Sequence, residues 1–206
     1  MKNNQLDFFA GEKQNLLPFD GAAVYHGTFL TAAESSFYFD QLLHHIAWRQ
    51  DEVVMFGKRI ITQRKVAWYG DTSFSYTYSH TTKEALPWTP ALLELKRKAE
   101  DVCQANYNSC LLNLYHHGGE GMGWHTDNED TLVPRASIAS ISLGAARKFS
   151  LKHKATQQTV SVMLANGSLL EMKEETQEHW LHALPKTKTV TAPRINLTFR
   201  HFREKV

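Results

Sequence analysis

The chain has 206 residues, 42% of them hydrophobic and 11% aromatic, enough for one domain with a sizeable core and short for two. Charged residues make up 21% and the formal net charge is +2, which excludes a charge-driven disordered chain and gives no sign by itself of a nucleic-acid partner. No apolar run approaches the roughly 18 residues of a membrane span, and Cys103 and Cys110 are too few for a disulfide framework and lack zinc-site spacing. Both are expected to be buried and reduced.

Residues 1–20 lack the basic, apolar, small-residue order of a signal peptide and are expected to form a loosely docked arm. A cytoplasmic location follows, or a nuclear one in a cell with a nucleus. Residues 21–206 are expected to fold as a single domain. Thr31-Ala32-Ala33-Glu34 is a capping box before an amphipathic stretch, Phe37 through Ile46, and predicts a helix. Two or three strands are expected between residues 53 and 80. Thr89-Pro90 sets a second helix start, an N-cap with proline at the first helical position; Leu92, Leu95, Ala99 and Val102 form its buried stripe.

Beyond Cys110 the texture becomes that of short strands. They are expected at Cys110–Tyr115, Ser137–Leu143, Lys148–Leu151, Thr159–Leu164, Gly167–Leu170, Thr187–Val190 and Ile195–Arg200. Two helices followed by many short strands predict an α+β fold, with helices on one face of a β-sandwich or barrel.

Gly123-Trp124-His125-Thr126-Asp127 carries a His and an Asp two apart. On a strand such residues share a face. Glu178-His179-Trp180-Leu181-His182 supplies a third ligand, and spacing does not choose between His179 and His182. Two imidazoles and one carboxylate leave three open positions on a metal, the facial triad of non-haem iron(II) oxygenases. A lone His-x-Asp is weak in a chain with eleven His. The alternating strand Arg194-Ile195-Asn196-Leu197-Thr198-Phe199-Arg200 strengthens it. Its Arg194, Asn196, Thr198 and Arg200 share one face, and two guanidinium forks suit a dicarboxylate.

Asn113-Leu114-Tyr115, His125-Thr126-Asp127, His182 and Arg194 through Arg200 together resemble the AlkB family of DNA and RNA dealkylation dioxygenases. The resemblance covers roughly residues 20–203. The subgroup acting on double-stranded DNA matches further at Val54 through Lys58, Tyr69-Gly70-Asp71, Tyr76-Thr77-Tyr78-Ser79, Ser137 through Ser140, Ser142 through Ala145 and His179 through Pro185. It implies a double-stranded β-helix (jelly-roll) core over about residues 108–203, with a hairpin lid over about 53–80. It also implies iron(II) on His125, Asp127 and His182, with 2-oxoglutarate and O2 as cosubstrates. Arg194 would meet the distal carboxylate of 2-oxoglutarate, and Arg200 its metal-side end and Asp127. Asn113 and Tyr115 would donate hydrogen bonds to it.

The implied reaction hydroxylates an alkyl group on a base nitrogen, as in 1-methyladenine or 3-methylcytosine, and repairs the base directly. A base inside a duplex must be flipped out to react. The stretch Val53–Gly70 holds Lys58, Arg59, Arg64 and Lys65 and no acid, which suits phosphate contact. In the resembling subgroup, the position of Phe56 is a finger that fills the vacated stack. Tyr76 and Tyr78 could stack on the flipped base, with Ser79 beside them. Where the subgroup has two acidic residues after the metal-binding Asp, this chain has Asn128 and Glu129, which leaves Glu129 to favour a cationic lesion. The same chemistry on RNA or on a protein side chain is the alternative. A cupin-like metal protein that uses no O2 is another, but it has no reason to keep Arg194 and Arg200. No extra association surface is evident, so a monomer is expected.

Overall fold

The computed structural model describes residues 15–55, 58–72, 74–78 and 81–203. Strand β1 (Ala22–Thr28) leads into helix α1 (Ala32–His45). Thr31 fixes its start: the Thr31 hydroxyl accepts from the Glu34 N–H at 3.2 Å, and the Glu34 carboxylate accepts from the Thr31 N–H at 2.8 Å. Two orphan donors of the first turn are thereby satisfied. Strands β2 (Arg49–Met55) and β3 (Lys58–Gly70) pair as an antiparallel hairpin, followed by β4 (Ser75–Tyr78), β5 (Thr81–Glu84) and β6 (Leu86–Pro87). Helix α2 (Pro90–Cys103) starts at N-cap Thr89, with Pro90 where the absent N–H costs no hydrogen bond, and ends at left-handed Gln104. The remainder is β7 (Ser109–Tyr115), β8 (Met122–His125), β9 (Ile138–Gly144), β10 (Arg147–His153), β11 (Thr159–Leu164), β12 (Ser168–Lys173), the one-turn α3 (Thr176–His179), β13 (Trp180–Leu184) and β14 (Arg194–Arg200).

One eight-stranded sheet runs β1-β12-β9-β14-β7-β3-β2, with β6 also pairing β3. A four-stranded sheet runs β11-β10-β13-β8, and β4 pairs β5. This is the antiparallel jelly-roll core expected from the sequence, with α1 and α2 packed on the outer face of the large sheet. Strand alternation divides the large sheet cleanly. Ile195, Leu197 and Phe199 of β14, Cys110, Leu112 and Leu114 of β7, and Ala139, Ile141 and Leu143 of β9 pack with Leu42, Leu92, Leu95 and Ala99 from the helices. A second core fills the space between the two sheets, from Tyr115, Ile138, Phe149, Leu151, Leu170, Met172, Trp180 and Leu184. No described helix is long and apolar enough to cross a membrane.

Four details differ from the sequence reading. Thr187–Val190 is a loop, not a strand: Thr187 N–H donates to the Gly118 carbonyl, the Val190 carbonyl accepts from Gly118 N–H, and the Thr187 and Thr189 hydroxyls bond each other. Threonine and valine favour strands where they pack on a half-buried pleat, and this stretch offers no such face. β1 was not expected. The described part of the arm is not loose, since Leu17 is buried in the inner core and Asn15 bridges Val24. Cys110 is fully buried, but Cys103 is only half-buried.

Candidate metal centre and anion receptor

β8 and β13 are neighbours in the small sheet, and His125 lies directly opposite His182. Between the pairs His182–His125 and Leu184–Met122 the register slips, so β8 carries an extra residue. That irregularity turns both Met122 and His125 into the sandwich and leaves Trp124 outside, as bulges commonly re-aim side chains. The two imidazole rings stand edge to face with centroids 4.2 Å apart. Asp127 reaches them differently from the way the sequence suggested. It lies in the loop after β8, not on the strand, and its place is set by two contacts: its N–H donates to Gln177 Oε1 at 2.9 Å, and its carboxylate meets Arg200. Ligand atoms of His125, Asp127 and His182 all lie within 4.8 Å of one another. His179 is elsewhere, ending α3 and stacked beside His153 with centroids 6.2 Å apart.

The electrostatics put these groups in metal-binding form. Burial raises the Asp127 carboxyl, but Arg200, then His182 and His125, pull it down to about 2, so it is ionised at neutral pH. Burial lowers His182 to about 4 against the pull of Asp127, so its imidazole is neutral with a lone pair to offer. His125 Nδ1 sits 2.8 Å from the Gly123 carbonyl, which assigns the proton to that nitrogen and frees Nε2. Phe149 stacks on His182 and fixes its ring.

The other wall of the same cavity is the inner face of β14 and β7, with Asn113, Tyr115, Arg194, Asn196, Thr198 and Arg200. Arg200 forks onto Asp127, Nη2 to Oδ1 at 2.7 Å and Nε to Oδ2 at 3.2 Å. Arg194 is different. It is 2% exposed, donates from Nη2 to Ser142 Oγ at 2.9 Å, leaves Nε without a partner, and among the described residues pairs with no carboxylate. Burial lowers its guanidinium to about 10, with Tyr115 opposing and Arg147 adding to the fall. A buried cation facing a cavity without a counter-ion is a receptor for an anion brought from outside. Asn113 Oδ1 is likewise buried and unpaired, whereas Asn196 spends its amide on Ser140 and the Ile141 carbonyl and receives the Thr198 hydroxyl. Asn196 and Thr198 therefore hold the face in shape, while the Arg194 guanidinium remains open to an anion. The donor set thus fits both a divalent metal and a dicarboxylate beside it.

Arg64, read from sequence as a surface cation for phosphate, is buried on the inner side of β3, with Nη1 2.9 Å from Met122 Sδ at the cavity. Strand alternation turns it inward, on the face opposite Ala67 and Tyr69. Glu129 is exposed and lines an adjoining cavity that shares Asp127 and Arg200. Phe56 and Ser79 lie outside the described residues, as do the side chains of Tyr76 and Tyr78. The sequence reading missed Gln177 and Arg147. Arg147 is 1% exposed and clamps the carbonyls of Glu120 and Pro185 at 2.8 and 2.9 Å, holding the loops beneath the cavity. Its place at the head of an alternating strand was the available signal.

The 2OG-Fe(II) oxygenase superfamily matches residues 21–200. The mouse (Mus musculus) DNA oxidative demethylase ALKBH2 is 41% identical over 72% of this chain and 66% of its own length. The bovine (Bos taurus) alpha-ketoglutarate-dependent dioxygenase alkB homolog 3 is 36% identical over 84% of this chain and 63% of its own. Arabidopsis thaliana DNA oxidative demethylase ALKBH2 is 31% identical over 86% and 65%. The solved structure of OsALKBH1 is 15% identical, with TM-score 0.60 over 87% of this chain and 97% of that one, a likeness of fold. The chain belongs to the 2OG-Fe(II) oxygenase superfamily, in its AlkB branch. The matches span 56–66% of the length of the curated relatives.

Proposed function

We propose that the chain is an iron(II)- and 2-oxoglutarate-dependent oxygenase that demethylates N-alkylated bases in DNA, such as 1-methyladenine and 3-methylcytosine. The observation that carries this reading is Arg194, a buried cation without a carboxylate among the described residues, in one cavity with His125, Asp127 and His182. Relatives named DNA oxidative demethylase support the DNA substrate.

His125, Asp127 and His182 would hold the iron, and three protein donors leave room for a chelating cosubstrate and O2. When bound, iron(II) and 2-oxoglutarate supply the oxidation of the alkyl carbon by O2, yielding succinate, CO2, formaldehyde from a methyl group, and the restored base. Arg194 takes the far carboxylate of 2-oxoglutarate. Asn113 and Tyr115 orient the cosubstrate, and Arg200 keeps Asp127 ionised and aimed. Asn196 and Thr198 hold the wall against which it lies. The hydrophobic ring of Phe149, Met172 and Leu184 keeps bulk water from the cavity.

The partner is a duplex whose alkylated base is flipped into the site. Phe56 fills the gap, Tyr76 and Tyr78 stack on the base with Ser79 alongside, Arg64 supports the cavity mouth, and Glu129 favours a cationic lesion. The enzyme acts as a monomer, in the cytoplasm or, in a cell with one, the nucleus. The test is succinate release with iron(II) and 2-oxoglutarate, comparing methylated with unmethylated DNA and RNA. Stimulation by methylated DNA is expected. Equal turnover on both, or stimulation by methylated RNA alone, would overturn the substrate assignment. Phe56→Ala should lose more activity on duplex than on single strands.

A further inference from the structure

We propose that His26, Cys103 and Glu171 form a second metal site, for one divalent ion of the zinc class, on the outer side of the large sheet. One ligand atom from each lies within 4.8 Å of the others. The three come from β1, the C-terminal end of α2 and β12, and none belongs to the cavity between the sheets.

The placement is built, not incidental. β1 pairs β12 with Tyr25 opposite Leu170 and Gly27 opposite Leu169, so His26 is the extra residue of a β-bulge. Gly27 takes φ 70°, the left-handed conformation such a bulge requires and glycine tolerates. The bulge aims the His26 ring at Glu171, with Nε2 3.2 Å from Oε2. The His26 side chain is 5% exposed, and its Nδ1 is buried without a hydrogen-bond partner among the described residues. Glu171 is 2% exposed, an acid inserted between the buried Leu170 and Met172 of β12. Ser137 donates to its Oε1 at 2.9 Å and in turn contacts the Tyr107 hydroxyl at 2.8 Å. Those bonds orient the carboxylate as outer-shell partners orient a ligand.

The chemistry of the set selects the ion. Thiolate, imidazole and carboxylate together suit zinc and its neighbours, with metal–ligand lengths of about 2.0–2.3 Å and a fourth position for water. The 3.2 Å separation of His26 and Glu171 already matches two ligands on one tetrahedral ion. The family triad has no sulfur, so the two sites differ in kind. Binding would displace the Cys103 thiol proton to solvent. Lys173, 3.7 Å from Glu171 and 40% exposed on its side chain, can swing outward as the ion enters. An ion there would tie the edge strand β1 and the end of α2 to the sheet.

Cobalt(II) titration of the chelator-treated chain tests this, because thiolate bound to cobalt absorbs intensely in the near ultraviolet and the family triad cannot produce that band. Two equivalents are expected in the unaltered chain, one of them with the band. Cys103→Ser should lose the band and one equivalent, and Asp127→Ala should keep the band. Within Asp127→Ala, zinc at a hundredfold its Kd should raise the melting temperature by roughly 5–10 °C, a rise that Glu171→Gln abolishes. Absence of the band, or its survival in Cys103→Ser, would overturn the proposal.

Discussion

Arg194→Met separates an anion receptor from a structural cation. Burial pulls the guanidinium down to about 10, well below its ordinary value, which corresponds to about 3 kcal/mol against the folded state. Because a base has been lowered, that cost is present at every pH below about 10 and is relieved only above it. Methionine keeps the unbranched stem and removes the charge, at the loss of the Ser142 hydrogen bond, worth about 1 kcal/mol. The metal-free, cosubstrate-free variant should therefore be more stable by about 2 kcal/mol, a rise of roughly 4–8 °C in melting temperature. Its affinity for 2-oxoglutarate should fall by roughly two orders of magnitude or more, since two charge-assisted hydrogen bonds to a carboxylate contribute about 3–6 kcal/mol. Thermal melts with manganese(II), with and without 2-oxoglutarate, measure both effects on one sample. A variant that melts well below the parent without cosubstrate, yet still shows the full 2-oxoglutarate shift, would refute the reasoning.

Three more perturbations read other parts of the site and fold. Asp127→Ala leaves Arg200 buried without its carboxylate, so the metal-free protein should lose about 3–5 kcal/mol; an unchanged melt would show the pair has no structural weight. Gln177→Leu removes the acceptor that holds the Asp127 N–H, and should weaken metal binding by about 10–100-fold while melting within a few degrees of the parent. Metal affinity equal to the parent's would dismiss Gln177 as a positioning residue. The Glu34 carboxyl is lowered from 4.5 to about 2, first by Lys98 and then by the Thr31 cap. Its stabilisation is therefore complete above about pH 4.5 and is lost as the pH falls towards 2. Glu34→Gln should melt below the parent at neutral pH and level with it near pH 2, and a gap that persists in acid would exclude the carboxylate as its source.

Local signals were legible where a residue's role depends on near neighbours in the chain. The Thr31 capping box and the Thr89-Pro90 start lie within single turns, and both helices begin at those residues. The split of β14 into an apolar and a polar face is a period of two; the helix-covered core lies on the apolar face and the cavity on the polar one. Thr187–Val190 misled because residue type signals a strand only where a partner face exists. The His-x-Asp spacing put His125 and Asp127 together for an incomplete reason: Asp127 is off the strand and is held by Gln177 and Arg200, 50 and 73 positions away.

By itself the sequence determined both helix starts, several of the later strands, the shared polar face of Arg194, Asn196, Thr198 and Arg200, and the family, because periodicity and motif are properties of neighbouring residues. Only the tertiary structure decided that His182 rather than His179 stands opposite His125, that Arg64 turns inward, and that Asn196 is satisfied while Arg194 has no counter-ion among the described residues. It alone gathered His26, Cys103 and Glu171. Burial and partnership are set by chain segments that meet across the sandwich, and the free energy of a charge depends on what surrounds it in space, not on what precedes it in sequence.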